Sequence, residues 1–158
     1  MSCGVALAVS LLLSDPNVAL AAAQPPAAAE APVSVAAEPL FADIVRQSGA
    51  MRNIVRRWID TGRADDAAFG LSPEFEMMAR GTTSLAERNM QGHLILKERG
   101  TDGDLKCILR GIAEDMPLKV EAVRAAATPT ARRTALEDLA YLLNDNVEVI
   151  TAPPQPPV

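Results

Sequence analysis

Between Leu40 and Ile150 apolar residues recur every three or four positions, the spacing of helices that bury one face. The first stripe runs through Phe41, Ile44, Ser48, Met51, Val55 and Trp58, with Val45, Ile54 and Ile59 widening it. It predicts a helix ending near Thr61 and Gly62, since glycine adopts the left-handed conformation of a helix stop at little cost. Ser72, Pro73 and Glu74 then supply a cap, a proline at the first helical position and an acid near the positive end of the dipole. The stripe behind them, Phe75, Met78, Thr82, Leu85, Asn89, Gly92 and Leu96, extends to Arg99 and Gly100. Gly81, the two threonines after it and the Ser84-x-x-Glu87 capping box leave both a break at 81–84 and a continuous helix open.

A third stripe, Leu105, Ile108, Leu109, Ile112, Met116, Val120 and Val123, follows Thr101 and Asp102 as caps. Pro117 interrupts its hydrogen bonding, so a kink near Asp115 is expected. Thr128 and Pro129 open a fourth helix, whose stripe is Leu136, Leu139, Ala140, Leu143, Val147 and Ile150. No strand pattern of comparable strength competes. The expectation is an all-α fold, an antiparallel four-helix bundle over residues 40–150.

The ends follow another rule. Residues 1–23 hold an apolar run from Gly4 to Leu13, a polar break at Ser14, Asp15, Pro16 and Asn17, and an Ala21-x-Ala23 motif. That is the layout of a cleaved signal peptide, with Gln24 as the first mature residue. No Lys or Arg precedes the apolar run, which implies an atypical signal or a start upstream of Met1. The run is about half of the roughly 20 residues that span a bilayer, and if uncleaved it would serve as a membrane anchor. Residues 24–39 and 151–158 are rich in Ala and Pro and read as a disordered tether and a disordered tail. Cys3 precedes the apolar run, the wrong order for bacterial lipid attachment. Removing the signal leaves Cys107, expected to be partly buried on the flank of the third stripe, without an intramolecular partner. In an oxidising compartment it is the candidate for an intermolecular disulfide and hence a homodimer.

Charge narrows the classes of partner. The 15 basic residues are dispersed along a chain with 20 acidic ones, and nucleic acid, which needs concentrated positive charge, is not expected as a ligand. Arg46, Arg52, Arg56 and Arg57 fall off the first apolar stripe; Arg52, Arg56 and Arg57 are the candidate partner surface for an acidic ligand.

Candidate chemistry centres on His93, the sole histidine, with Met90 three residues before it. A bundle interior is a place where haem or metal can sit. Covalent haem attachment needs Cys-x-x-Cys-His, whereas Cys107 is followed by Ile108 and Leu109. Non-covalent haem needs a second ligand such as Met51, Met77, Met78 or Met116, and methionine at helical spacing is ordinary core filler. Zinc would want more converging ligands, and a di-iron site would want Glu-x-x-His motifs that Glu87 and Glu98 do not make. His93 is therefore expected to be a structural or boundary residue, with no cofactor; His93 and Met90 are weak candidates for one. Nucleophilic catalysis would also need His93, and the adjacent acid pairs Asp65-Asp66, Glu114-Asp115 and Glu137-Asp138 diverge on a helix. Asn144, Asp145 and Asn146 lack a calcium loop, and Asn146 is expected to cap or fix helix register. Together these patterns point to an exported, non-enzymatic helical binding or structural module of a bacterial periplasm, its partner an envelope protein or small ligand. The alternative is a periplasmic haem or metal carrier using His93 with a methionine.

Overall fold

A computed structural model describes residues 34–100 and 103–152. Within them the chain forms four long helices and no strand: α1 (Pro39–Asp60), α2 (Pro73–Arg99), α3 (Gly103–Ala125) and α4 (Pro129–Thr151). Two single 3-10 turns, Arg63–Asp65 and Phe69–Leu71, join α1 to α2. The expected signal peptide, most of the tether, the caps Thr101 and Asp102, and the tail beyond Ala152 lie outside the described residues.

Local chemistry sets the helix ends. The Ser72 hydroxyl accepts from the Phe75 amide and the Thr128 hydroxyl from the Ala131 amide, each followed by a proline in the first turn. Gly62 and Gly100 adopt left-handed φ values of 72° and 65° directly after α1 and α2. Helix α2 is continuous through residues 81–84. The Thr82 and Thr83 hydroxyls bond back to the carbonyls of Met78 and Ala79, so they support the helix where a new cap was conceivable. Helix α3 likewise runs through Pro117, whose side chain is exposed.

The four stripes meet in one core that includes Phe41, Ile44, Val55, Phe75, Leu85, Leu96, Leu109, Met116, Leu136, Leu139, Leu143 and Ile150. Helix α1 packs most extensively on α4, α2 on α3 and α3 on α4; the α1–α2 contact is the least extensive of these. Gly92 permits a close approach, because a Cβ there would stand 3.0 Å from Phe41 and 3.3 Å from Leu109. Val35 and Ala36 also pack on the core, so order begins before Leu40. Ile54, expected to widen the α1 stripe, is instead 42% exposed. It is one residue before buried Val55, hence about 100° round the helix.

The α1–α2 connection is packed into the core. Ala64 and Phe69 are fully buried, and the Trp58 and Phe75 rings lie 5.0 and 5.6 Å from Phe69. Gly70 sits against α3, where a Cβ would come within 3.2 Å of the Arg124 Cα. Beneath this loop Arg132 of α4 is 4% exposed. Its guanidinium donates to the Ala64 carbonyl at 2.6 Å and to the Ala126 carbonyl at 2.9 Å, tying both connections at this end to α4.

Replacing Arg132 with Ala should therefore lower stability by about 2–4 kcal/mol, because two buried carbonyls lose charged donors and a cavity opens. Arg132→Lys should rescue little of this, since an ammonium lacks the planar fork that reaches both oxygens. Urea unfolding is the check, and an unchanged midpoint for Arg132→Ala would rule the clamp out.

Candidate functional site

His93 lies one helical turn after Asn89 on the inner side of α2 and is 8% exposed. Its Nδ1 stands 2.6 Å from the carbonyl oxygen of Lys106 on α3. A carbonyl only accepts, so Nδ1 must carry the hydrogen, and Nε2 is the ring nitrogen left outside this bond. The bond fastens α2 to α3. Met90, one turn earlier, is half-buried. Of the other methionines considered, Met78 and Met116 are buried, Met51 is half-buried and Met77 is 63% exposed. Among the described residues no three His, Cys, Asp or Glu side chains converge as metal ligands would.

Cys107 is exposed, against the expectation of partial burial. It lies two residues from both Leu105 and Leu109, and two residues turn a helix by about 200°, to the side opposite those core leucines. The thiol faces outward from α3.

The three arginines singled out on α1 do not form one patch. Arg52 Nη1 donates to Asn144 Oδ1 on α4 at 2.8 Å, and its other nitrogens contact Asn53. Arg56, one turn on, shares that α4 flank, while Arg57 falls about 140° from Arg52. Arg56 and Arg57 are both exposed, and their guanidinium groups have no hydrogen-bond or ion-pair partner among the described residues. On the α2 flank, Asp43 accepts from Arg46 and Arg88 and, at 2.8 Å, from Gln47. The Arg46 hydrogen bond leads in holding the Asp43 carboxyl below its ordinary range. Glu38 takes both terminal nitrogens of Arg99 at 2.8 Å, and that bond lowers its carboxyl pKa in the same way.

Buried polar side chains form a second group. Asn146 on α4 donates through Nδ2 to Ser48 Oγ on α1 at 2.9 Å, and Asn89 donates to the Leu85 carbonyl within α2. All three side chains are inaccessible, and the Oδ1 atoms of both asparagines have no partner among the described residues. Beside Asn146, burial raises the Asp145 carboxyl pKa, and repulsion from Glu148 adds to it. No described helix is long and apolar enough to cross a membrane.

Comparison with protein-family models, with curated proteins and with solved structures finds no match to this chain. The side chains themselves must carry any functional reading. Sequence spacing located His93 and Asn146 on inner faces but missed Arg132, whose side-chain type is rarely buried. It also missed that Ile54 and Met77 both stand exposed. The available signal was their common offset of one residue from a core position, Val55 and Met78.

Two measurements follow from these contacts. Asn146→Ala should cost about 1–3 kcal/mol by stranding Ser48 Oγ, whereas Asn146→Leu combined with Ser48→Ala should be nearly neutral. Equal losses in urea unfolding would show that the hydrogen bond does not matter. Because the Glu38 and Asp43 pKa values are depressed, their ion pairs stabilise above the ordinary carboxylate range and lose that effect as pH falls through the depressed values. A Glu38→Gln variant should thus melt below the parent at neutral pH and converge with it in acid; a gap independent of pH would contradict this.

Proposed function

We propose that this chain is an exported, non-enzymatic binding or structural module of the bacterial envelope, acting through a helix face of an antiparallel four-helix bundle. Contacts that run in opposite sequence directions support that helix order. Glu38 meets Arg99 and Asp43 meets Arg88 between α1 and α2; Ser48 meets Asn146 and Arg52 meets Asn144 between α1 and α4. His93 with Lys106 and Glu76 with Arg124 do the same between α2 and α3.

The observation that carries the binding reading is a division of labour among side chains. His93, the one residue on which a Ser-His-acid or Cys-His arrangement would depend, has Nδ1 committed to a helix–helix hydrogen bond. Large apolar side chains, Ile54, Met77, Leu94, Leu118 and Tyr141, instead stand exposed on helix exteriors. Such side chains bind by being covered by a partner, and they promote no bond-making. Export draws its support from the Gly4–Leu13 run and Ala21-x-Ala23. In an oxidising compartment the outward thiol of Cys107 would join two copies.

A second reading, a haem or metal carrier using His93 with Met90, is favoured by one feature. The Nδ1 bond to Lys106 leaves Nε2 as the nitrogen able to ligate, the usual arrangement of a ligating histidine.

Native and denatured intact masses of protein from the periplasmic fraction of its own host separate these readings. A denatured mass beginning at Gln24, a native mass without haem or metal, and a doubled mass sensitive to reductant are expected. A native excess equal to haem or metal, abolished in His93→Ala, would establish the carrier instead. A full-length protein confined to the cytoplasm would defeat export.

A further inference from the structure

We propose that the outer face shared by α3 and α4 docks a basic amphipathic helix of a partner protein; this rests on the binding-module reading and names its surface and the chemistry of its ligand.

Contacts fix which sides of the two helices make this face. The Lys119 ammonium of α3 bonds the Asp138 carboxylate of α4 at 3.0 Å, and the short link 126–128 turns α4 back along α3. Leu118 stands one residue before Lys119 and Tyr141 three residues after Asp138, so the two lie within about one turn of each other along the pair. They are 65% and 68% exposed. At about 100° per residue, Gly111 and Ala122 fall within about 40° of Leu118 on its α4 side, and Thr134 within about 20° of Tyr141 on its α3 side. A Cβ on Gly111 would meet nothing within 4 Å. Two large side chains thus rise from the middle of the face with small residues before and after them, a relief that receives the apolar stripe of a helix.

Charge selects the occupant. Asp115 lies about 60° from Leu118, and Asp138 and Asp145 about 60° and 40° from Tyr141, each turned toward the neighbouring helix. Glu148 lies within about 20° of Tyr141. Against these carboxylates the face holds one cation among the described residues, Lys119, which Asp138 already takes. Arg110 and Arg133 fall about 80° from Leu118 and Tyr141 on the sides away from the shared face. Lys106 and Arg124 fall about 120° from Leu118, toward α2, and Arg132 is buried. From α1, Arg52 reaches α4 on its other flank, at Asn144. Asp115 has no hydrogen-bond or ion-pair partner among the described residues. Half-buried Asp145 has its carboxyl pKa raised by burial and then by the charge of Glu148, so no cation offsets that charge. A helix with leucines on one face and lysines or arginines beside them would cover Leu118 and Tyr141 and neutralise these carboxylates together. The exposed Tyr141 ring also offers an arginine its negative face.

The test uses the full chain in reductant, which keeps Cys107 a thiol, and a fluorescently labelled synthetic helix with leucines at three- and four-residue spacing flanked by lysines and arginines. A glutamate-flanked peptide and a scramble of the basic one are the controls. The basic peptide should bind at least about tenfold more tightly than either, and its affinity should fall as salt rises. Leu118→Ala with Tyr141→Ala, and separately Asp115→Asn with Asp145→Asn, should each weaken it about tenfold while leaving helical content unchanged. Equal binding of the scramble would reduce the effect to unspecific attraction between opposite charges and overturn the proposal, as would equal binding of the glutamate peptide or binding unaffected by these variants. So does basic-peptide binding that appears only after residues 1–33 are removed, which would assign the face to the chain's own leading segment. A concentration-dependent dimer abolished by Leu118→Ala with Tyr141→Ala would assign it to a second copy and overturn it likewise. Failure here with a native mass free of haem or metal leaves a binding module that uses another face; a native haem or metal adduct defeats the underlying reading itself.

Discussion

One buried charge organises the loop end of this protein. A guanidinium removed from water is tolerated only where oxygen atoms replace the lost hydration, and Arg132 finds them in the backbone of both helix connections. The chain must therefore bring Ala64 and Ala126 to the same place. The aromatic residues Trp58, Phe69 and Phe75 then close over the α1–α2 connection. Two further arginines lie against that cluster, with Arg63 5.2 Å from the Phe69 ring centre and Arg124 5.7 Å from that of Phe75. Each is also held by carboxylates, Arg63 by Asp66 and Glu74, Arg124 by Glu76 and Glu121. Removal from water at Arg132 and partial exposure at the other two make chemically similar side chains do different work: the first fixes backbone, the others shield rings.

The polar interior has another logic. Asn146 donates to Ser48 across α1 and α4, and a one-residue slip between those helices would break that bond and leave donor and acceptor without each other in an apolar core. His93 performs the equivalent service between α2 and α3. Both are cross-helix bonds in which a side chain reaches a neighbouring element, which favours one alignment over the many that interchangeable leucines would permit.

The helices were legible because they depend on local chemistry. Ser72-Pro73 and Thr128-Pro129 announce starts, Gly62 and Gly100 announce stops, and the stripes identify most of the buried residues. The unforeseen features depend on what lies across space. Nothing near Arg132 in sequence reveals that two loops supply carbonyls to it, and nothing in "GRADDAAFGL" reveals that Phe69 meets Trp58 and Phe75. The continuity of α2 turned on hydroxyls that had two uses, capping a new helix or bonding back along the old one, and Thr82 and Thr83 take the second. Cys107 was misjudged for a simpler reason: adjacency to an apolar stripe in sequence does not mean adjacency on the helix surface. At the candidate binding site, the individual arginines were visible but their separation onto two flanks was not.

Trp58, the sole tryptophan, stands with its ring 5.0 Å from Phe69 at the end where the two 3-10 turns are folded in. The protein thus carries an optical probe whose surroundings are assembled by one connection. Its emission reports the seating of that loop before it reports the integrity of the four helices, and the Glu38–Arg99 end, without a tryptophan of its own, is silent to it. Unfolding followed by fluorescence and by helical content would coincide only if loop and bundle come apart together, so the pair of signals distinguishes a single cooperative body from one whose loop end opens first.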